Sequence, residues 1–508
     1  MALEKRGIVI VGSGFAGSLL ARILASRGRD VLLVERGQHP RFALGESSTP
    51  LANLTLERLA RRFDLPDLRN LATWGRWKRA HPELPVGLKR GFTFYGHRAA
   101  EPFEAGSDNA RRLLVAASPE DDLADTQWSR RELDHFLVRQ AVAAGVDYRD
   151  HTELTDIESM GEGLRLRGRG PQGACELAAD FLVDASGPRG FLASRGVVEP
   201  SSQPSSGPAK DLLFGHLDSL RPFESVASCC DDGPYPDCWS AVHHLLDEGW
   251  MYQLRFDDGR TSVGWVLRSG VLSDEEPPGD LWRRLSARYP SLERQFAGAS
   301  PVSPLAVVRG LRHRLAGAVG EGWALLPHSF AFFDPLFATG IAWSLLGVER
   351  LADVLLGTAG DLTRYGRLLD READHLESLI AGAWRVMGDF SAFAAYSQLY
   401  FAAASFGEVE RRLDPDHEWA WKGFLGSDDE IVTAALEAAS KVPSEDLAGW
   451  VSKAIAPRNI AGLADPRRRN LYPVDFAPLI ANSHLLGRTA EEMKAAIPRL
   501  LGADVTVR

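Results

Sequence analysis

The chain has 508 residues, with 58 basic and 68 acidic side chains, so its formal net charge is −10. A negative balance of this size disfavours nucleic acid as a partner, because phosphate binding needs a basic face. At this length two or three lobes are expected, and the 45% of apolar residues suffices for large buried cores, which argues against disorder.

The compartment is predicted from two features that the sequence does not show, a signal sequence and a membrane span. Its first apolar run, GIVIVG at 7–12, is too short for a signal sequence, and no stretch reaches the roughly 18 apolar residues of a membrane span. The cysteines fit no zinc spacing and are interpreted as reduced thiols. We therefore predict a cytoplasmic protein without a membrane span or a metal site. These cysteines are Cys175, Cys229, Cys230 and Cys238.

The first informative elements lie between residues 8 and 37. A strand is predicted over 8–11, a glycine turn over 12–17, a helix over 18–27 and a second strand over 31–34. The turn has the pattern G-x-G-x-x-G and an acidic residue follows the second strand, as in a dinucleotide site with the pyrophosphate on the helix amides. The residues expected to hold the dinucleotide here are Gly12, Gly14, Phe15, Ala16, Gly17, Glu35 and Arg36.

A second glycine cluster, GEGLRLRGRGPQG at 161–173, has no helix after it and is predicted to be a hairpin. The chain thus contains one dinucleotide motif and a large remainder. That combination favours FAD over a nicotinamide cofactor.

Five further motifs follow in chain order. They are GESSTP at 45–50, LKRGFTF at 88–94, QWSRRELD at 127–134, FLVDASGPRGFLA at 181–193 and FDPLFATG at 333–340. Together with the glycine turn, their order and spacing over about residues 7–350 resemble the flavin-dependent halogenases, a branch of the FAD monooxygenase superfamily.

The resemblance implies an α/β fold with a Rossmann-like FAD-binding module of the glutathione-reductase and p-hydroxybenzoate-hydroxylase kind. That module would span residues 1–350. Its discontinuous FAD lobe would cover about 1–85, 110–200 and 300–350, and a β-sheet substrate lobe about 86–109 and 201–299. Residues 351–508 are predicted to form a helical C-terminal region.

The resemblance also implies site residues. Lys89 matches the family's lysine, and the amides of Thr339 and Gly340, at the start of a predicted helix, would hold a halide. His328 stands where the family has an aspartate that bonds the ribityl chain of FAD. The further residues expected near the cofactor are Glu46, Ser47, Ser48, Arg130, Asp184, His328, Asp334, Gly340 and Ile341.

In this family reduced FAD activates oxygen, the halide becomes hypohalous acid, and the lysine meets that acid beside the substrate. The lysine either orients the oxidant by hydrogen bonding or forms a haloamine, which requires an amine with a lowered pKa. Without the resemblance, Lys89 would be interpreted as a solvated lysine at the end of a strand. The partners implied are a separate NAD(P)H-flavin reductase and a small aromatic substrate, free or tethered to a carrier protein.

Two departures from the family pattern bear on the substrate. The family signature W-x-W-x-I-P corresponds here to residues 250–255, where Trp250 is kept and Tyr252 replaces the second tryptophan. Phe337 stands where tryptophan halogenases carry a glutamate, which favours a phenol, a pyrrole or another indole over free tryptophan. The altered signature keeps a flavin monooxygenase or dehydrogenase of the same fold open as an alternative. His328 in place of the aspartate keeps open a third, a flavin-binding protein without turnover.

The helical region contains an aromatic stripe that is interpreted either as core or as the wall of a substrate tunnel. Its members are Phe390, Phe393, Tyr396, Tyr400, Phe401 and Phe406. Pro/Ser-rich connections are predicted at 201–210 and 299–310.

Overall fold

The computed structural model describes residues 3–188, 190–227, 232–415 and 418–501. Cys229 and Cys230 lie outside the described residues. The strands are β1 Glu4–Val11, β2 Val31–Val34, β3 Val86–Lys89, β4 Gly91–Gly96, β5 Arg112–Ala116, β6 Asp125–Trp128, β7 Asp147–Arg149, β8 Glu153–Ser159, β9 Leu164–Gly170, β10 Gly173–Asp184, β11 Lys210–Asp218, β12 Ala241–Leu246, β13 Gly249–Arg255, β14 Thr261–Arg268, β15 Ser300–Pro301, β16 Ala306–Val308, β17 His313–Arg314, β18 Val319–Gly320, β19 Trp323–Leu325, β20 Ala331–Phe332 and β21 Leu471–Tyr472.

The helices alternate with these strands in the first half of the chain and dominate the last third. They are α1 Phe15–Ser26, α2 Pro50–Arg62, α3 Pro66–Asn70, α4 Trp74–Ala80, α5 Arg130–Ala143, α6 Phe191–Ser194, α7 Pro278–Ala287, α8 Pro290–Phe296, α9 Pro327–Phe330, α10 Thr339–Leu356, α11 Leu362–Val386, α12 Phe390–Leu413, α13 Glu430–Ala439, α14 Leu447–Ala454, α15 Phe476–Ala481 and α16 Ala490–Leu500. Among the described helices, none is both long and apolar enough to cross a membrane.

The first sheet is built around the N-terminal β1–α1–β2 unit. Its main strand order is β18-β19-β10-β1-β2-β7, and β1 pairs in parallel with both β2 and β10. The β-branched and leucine-rich strands are buried in its centre, as expected for a parallel sheet covered by helices. The segment 161–173, predicted to be a hairpin, contains β9 and the turn that leads from β9 into β10.

The second sheet has nine strands, with the main order β15-β11-β14-β13-β12-β4-β5-β21. The hairpin β13–β14 contains the segment 250–255 and its DDGR turn. Strands β5, β15 and β16 also join this sheet, although the sequence boundaries assign residues 110–116 and 300–308 to the FAD lobe. The connection predicted at 299–310 therefore contains two short strands. Each of them pairs with β11, which lies far away in the sequence.

A separate two-stranded ribbon lies between the sheets. It pairs β3 with β6 in antiparallel register, with Lys89 opposite Asp125. Helix α12 of the helical region packs against α2, which contacts the ribbon through the bond from Asn53 to Asp125. The later helices are capped: Asp429 accepts from the amides at the start of α13, and Thr489 forms a capping box with Glu492 at the start of α16.

Candidate active site

The glycine turn between β1 and α1 is closed too tightly for a larger residue. A Cβ added to Gly12 would lie 2.6 Å from the carbonyl oxygen of Ala185, and the φ of Gly12 is +102°. A Cβ added to Gly17 would lie 2.1 Å from the carbonyl oxygen of Gly12. Gly14 is less crowded, since the atom nearest to an added Cβ is 3.6 Å away on Arg130. The turn therefore has the close backbone approach that a dinucleotide pyrophosphate requires.

Arg130, the first residue of α5, lies across this turn. Its Nη1 donates to the carbonyl oxygens of Leu44 and Gly45 at 2.7 and 3.0 Å, and its Nε and Nη2 each donate to Asp134 at 2.8 Å. The guanidinium lies 4.7 Å from the centre of the Phe15 ring. The QWSRRELD motif thus connects the loop that begins at Gly45 with the start of α1.

His328 faces the start of α10. A Cβ added to Gly340 would lie 2.6 Å from Nε2 of His328, and this nitrogen is buried without a hydrogen-bond partner in the described part of the chain. The other ring nitrogen, Nδ1, lies 3.2 Å from Oγ of Ser344. Burial and the nearby positive charge of Arg130 lower the pKa of His328 to about 3, so the ring is neutral at neutral pH.

Several buried polar atoms near the glycine turn and the following loop have no partner among the described residues. Buried polar groups are normally hydrogen-bonded, so such a cluster indicates the place of a polar ligand. Together with the glycine cradle, it fits the many polar atoms of FAD. The atoms are Oγ of Ser47, both amide atoms of Gln127, Nδ1 of His39 and Nε2 of His328.

Glu35 lies at the end of β2, where the sequence predicts a ribose-binding carboxylate. Its oxygens accept from the amide and hydroxyl of Ser13 at 3.1 and 3.0 Å and from the amide of Gly37 at 3.0 Å. Burial alone would raise the pKa of Glu35, but the charge of Arg41 and these bonds lower it overall. Arg36, the next residue, is exposed.

The carboxylates of Glu46, Asp184 and Asp334 are bonded to protein groups. These bonds give the three side chains a role in shaping the loops around the cofactor space. Of the remaining predicted residues, Ala16 and Ile341 lie in the first turns of α1 and α10, and Oγ of Ser48 donates toward Asn53. The partners are His216 and Ser262 for Glu46, Ser186 and Leu192 for Asp184, and Lys210, Leu336 and Trp384 for Asp334.

Helix α10 begins at Thr339, as predicted, and its N-terminus is not neutralised by a described side chain. Ala338 precedes it with a φ of +51°, no side-chain cap is formed, and the first turn carries no acidic residue. Leu336 and Phe337 behind it are fully buried. The amide of Leu336 donates to Asp334 at 3.0 Å, which closes the turn. Such a helix start offers a small anion N–H donors and a favourable dipole.

Lys89 ends β3 and is fully buried. Its Nζ donates to the carbonyl oxygen of Ser48 and lies 4.0 Å from the centre of the Phe92 ring. Burial lowers the pKa of Lys89 to about 8, although the nearby charge of Asp125 opposes this shift. The amine is therefore desolvated and loses its proton more easily than an exposed lysine does.

Asp125 lies opposite Lys89 in the β3–β6 ribbon and is also buried. Its Oδ1 accepts from Nδ2 of Asn53 at 2.6 Å, whereas Oδ2 is buried without a partner in the described ranges. Burial raises the pKa of Asp125 to about 7, against the effect of Lys89. Directly opposite residues project from the same face of a ribbon with Cβ atoms about 4.5–5.5 Å apart, so the two side chains form a buried pair of opposite charge type.

A cavity of about 190 Å³ connects the two parts of the site. Its wall includes Thr339 at the start of α10 and Phe92, whose ring covers the Lys89 amine. Most of the remaining wall is apolar, but it contains one ion pair on α12, in which Nε of Arg412 donates to Glu408 at 2.9 Å. The cavity thus suits a flat apolar molecule with a polar substituent. Apolar wall residues include Leu51, Val115, Tyr400, Phe401, Phe424, Leu463 and Phe476.

The aromatic stripe of α12 serves both purposes considered for it. Tyr400 and Phe401 line the cavity, and Phe337 stacks on Tyr400 with ring centres 4.6 Å apart. Phe393 and Tyr396 are buried core residues. One face of the helix therefore forms the pocket while the rest packs in the core.

Trp250, the conserved member of the altered signature, is fully buried on β13. Its ring centre lies 5.1 Å from that of His243, which lies 5.7 Å from that of Phe92. The segment 250–255 is therefore connected to the lysine end of the cavity through one layer of aromatic rings.

Five residues of this site escape sequence-based reasoning. Gln127 lies within the QWSRRELD motif, but the motif assigns it no role, and Asp125 lies two residues before it. Their alternate positions in a buried strand place both side chains on one face, which is the signal that could have indicated them. Asn53, Glu408 and Arg412 lie on helices whose polar residues have no distinguishing pattern. Asn53 on α2 bonds to Asp125 of the ribbon, and α12 packs against α2. These long-range contacts bring the three residues to the site.

Comparisons with known proteins agree with this geometry. The family model described as "FAD dependent oxidoreductase" matches residues 7–328. The monodechloroaminopyrrolnitrin halogenase PrnC of Pseudomonas fluorescens is 23% identical over 419 residues, which cover 79% of this chain and 71% of that protein. A 1H-pyrrole-2-carbonyl-[peptidyl-carrier protein] brominase of Pseudoalteromonas luteoviolacea is 23% identical over 350 residues, 68% of this chain and 76% of that protein.

Among solved structures, the halogenase PltM in complex with phloroglucinol and FAD superposes with a TM-score of 0.83. The match covers 92% of this chain and 99% of that chain at 19% identity, and at this identity it shows the fold. The predicted α/β fold with an FAD-binding module, the resemblance to the flavin-dependent halogenases and FAD as cofactor are confirmed. The predicted halide agrees with the names of these relatives.

Proposed function

This chain belongs to the family of FAD-dependent oxidoreductases, and we propose that within it the protein is a flavin-dependent halogenase acting on an electron-rich aromatic ring. One observation carries the proposal. A single apolar cavity reaches from Thr339, at an uncapped helix start, to Phe92, whose ring covers a buried lysine amine. An anion site and a reactive amine joined by a dry passage are what the transfer of an oxidised halogen requires.

The cofactor would lie between the glycine turn and the start of α10. Gly12, Gly14 and Gly17 would hold its pyrophosphate, while Arg130 and His328 border the same space. When bound and reduced, FAD would supply two electrons that bring oxygen to the peroxide level, which is the oxidant that the halide requires. The reducing equivalents would come from a separate NAD(P)H-flavin reductase, because the chain has one dinucleotide motif.

The halide would bind to the amides of Thr339 and Gly340. A buried anion without donors is too costly to hold, and the start of α10 supplies both donors and a favourable dipole. The buried residues Leu336 and Phe337 keep water from this side of the turn. Excluding water also protects the hypohalous acid on its way into the cavity.

The lysine would act on that acid at the other end. A neutral Lys89 can take the halogen, in which case a nitrogen–halogen bond forms and the amine proton leaves with hydroxide as water. A protonated Lys89 can instead donate a hydrogen bond that orients hypohalous acid toward the ring. The lowered pKa of Lys89 makes both forms accessible near neutral pH.

The substrate would be small and aromatic. A cavity of about 190 Å³ suits one or two fused rings, and the stacked pair of Phe337 and Tyr400 provides an aromatic wall. Glu408, held by Arg412, is placed to accept a proton from a ring hydroxyl or ring N–H. We therefore propose a phenol, pyrrole or indole, either free or presented by a carrier protein.

Replacing Glu408 with glutamine is expected to lower kcat/KM roughly 10-fold or more, chiefly through KM, for a hydroxylated ring. A hydrogen bond to a charged acceptor contributes about 1.5–3 kcal/mol, and the amide accepts more weakly. Steady-state kinetics with phenols of differing hydroxyl number would measure the effect. Glu410→Gln is the matched control, because Glu410 pairs with Lys422. An equal loss in both variants would contradict the role of Glu408.

The proposal is tested by supplying the pure protein with reduced FAD, oxygen, bromide and a panel of phenols, pyrroles and indoles. Mass spectrometry is expected to detect brominated product that disappears when bromide is withheld. A product that gains one oxygen atom without any halide would indicate a monooxygenase. Weak retention of FAD together with no product across the whole panel would indicate a flavin-binding protein without turnover.

A further inference from the structure

We propose that Asp125 is a positioning residue for Lys89, whose carboxylate fixes the charge state of the lysine amine from the opposite strand of the β3–β6 ribbon. This assignment deepens the proposed function and rests on it. Asp125 lies outside the sequence motifs that resemble the halogenase family.

The backbone fixes the pair firmly. Lys89 and Asp125 are partners in a ladder of four residue pairs, and both side chains are almost fully buried. Ser48, which accepts from the lysine amine, donates its own amide to Thr126, the neighbour of Asp125, at 3.0 Å. The lysine amine and the strand that carries the carboxylate are therefore bonded to the same loop residue.

A second contact sets the orientation of the carboxylate. Asn53 on α2 donates to Oδ1 of Asp125 at 2.6 Å, which leaves the partnerless Oδ2 as the atom available to an adjacent proton or cation. Because both strands project these side chains from one face, Oδ2 acts on the lysine amine through low-dielectric protein. An interaction with the lysine amine accounts for the buried Oδ2 of Asp125, which has no hydrogen-bond partner among the described residues.

The other charged groups around the pair largely compensate one another. Glu408 and Arg412 on α12 form their own ion pair, and both act electrostatically on Asp125. His243 on β12 acts on Lys89, but burial lowers the pKa of His243 to about 3, so it is neutral. Tyr400 and Tyr235 also adjoin Asp125, and burial raises the pKa of each hydroxyl above its usual value. Asp125 is thus the principal counter-charge of Lys89 among the described residues.

The direction in which Asp125 shifts the pKa of Lys89 follows from these charges. The carboxylate of Asp125 raises the pKa of Lys89, while burial lowers it to about 8. Without the carboxylate only burial remains, so the pKa of Lys89 falls further. If the neutral amine carries the halogen, the pH at which bromination reaches half its maximum should fall with it.

The test compares the wild type with Asp125→Asn, an isosteric change that retains an acceptor for Asn53. Two quantities are followed against pH in the full-length holoenzyme. One is brominated phloroglucinol formed per flavin oxidised. The other is the ¹⁵N signal of the Lys89 amine, which can be assigned with Lys89→Met because the chain has eight lysines. We expect the Lys89 midpoint to lie near 8 in the wild type and about one unit or more lower in the variant.

Controls separate this inference from the proposed function. Asp122→Asn removes an equal charge three residues away from a side chain that is 56% exposed, and should leave both midpoints unchanged. Asp125→Glu keeps a carboxylate at this position, so the Lys89 titration should keep its wild-type midpoint. The ¹⁵N titration does not depend on turnover, so it tests the pair even if phloroglucinol is not halogenated.

The wild-type signal provides a test that needs no variant. Because the two groups are coupled, the Lys89 resonance should respond to two titrations, that of the Asp125 carboxyl and that of its own amine. A single step near the ordinary lysine value, or an unchanged midpoint in a folded Asp125→Asn protein, would overturn the assignment.

Discussion

Replacing Lys89 with alanine is expected to abolish halogenated product while oxidation of reduced FAD and release of hypohalous acid continue. The amine lies behind Phe92, a wall residue of the cavity, and outside the glycine cradle, so its removal should leave FAD binding intact. Loss of a positioned catalytic group costs roughly 100-fold or more in rate. Product would be measured by mass spectrometry and free hypohalite by a trapping dye, in the same reaction mixture.

The variant must leave the fold intact for this result to be informative. Lys89→Met keeps most of the side-chain volume beneath Phe92 and should behave like the alanine variant. Lys78→Ala removes a lysine that pairs with Asp257 near the surface, and should retain activity. Regioselective halogenation by either Lys89 variant would refute the role of the amine.

Replacing Gly12 with alanine is expected to weaken FAD binding by about 10-fold or more and to destabilise the protein. The added Cβ would lie 2.6 Å from the carbonyl oxygen of Ala185, in a backbone conformation that L-residues rarely adopt. The left-handed conformation costs about 1–2 kcal/mol and overpacking about 1–3 kcal/mol more. Flavin fluorescence would measure the dissociation constant, and thermal unfolding the stability.

Gly28→Ala is the matched control for that change. Gly28 closes α1 with a φ of +76°, so it carries the same conformational strain, but no atom lies within 4 Å of an added Cβ. We expect a stability loss of about 1 kcal/mol and unchanged FAD affinity. Equal FAD affinity in both variants would show that the close approach at Gly12 does not serve the cofactor.

The parts of this site that could be predicted from the sequence are those in which local chemistry sets local structure. The strand before Gly12, the helix after it and the carboxylate of Glu35 follow from β-branched runs, glycine turns and spacing. The start of α10 at Thr339 is also predicted, although that expectation rests on the resemblance of FDPLFATG to the halogenase motif. Such signals do not depend on distant parts of the chain.

The parts that could not be predicted depend on contacts between segments far apart in sequence. The short strand β21 joins the edge of the second sheet more than 350 positions after β5, and two-residue strands have no periodicity to detect. The Glu408–Arg412 pair is separated from Asp125 by 283 positions, counted from 408 minus 125. Burial of Lys89 is likewise a product of assembly, since its local sequence is equally compatible with an exposed strand end.

Under the proposed function, the fold keeps two incompatible requirements apart. A halide needs N–H donors and a positive dipole, whereas a reactive amine needs burial that lowers its pKa. The helix α10 satisfies the first and the β3–β6 ribbon the second, and the cavity between them is largely apolar. An amine placed beside the halide would be protonated, and a halide in a site open to water would be hydrated.

The central claim is that a halide binds to the amides at the start of α10. A crystal of the FAD-loaded protein soaked in bromide, with data collected at the bromine absorption edge, tests this most directly. We predict an anomalous peak within hydrogen-bonding distance of the amides of Thr339 and Gly340. No peak there, in a crystal whose protein forms product equally well without halide, would contradict the account.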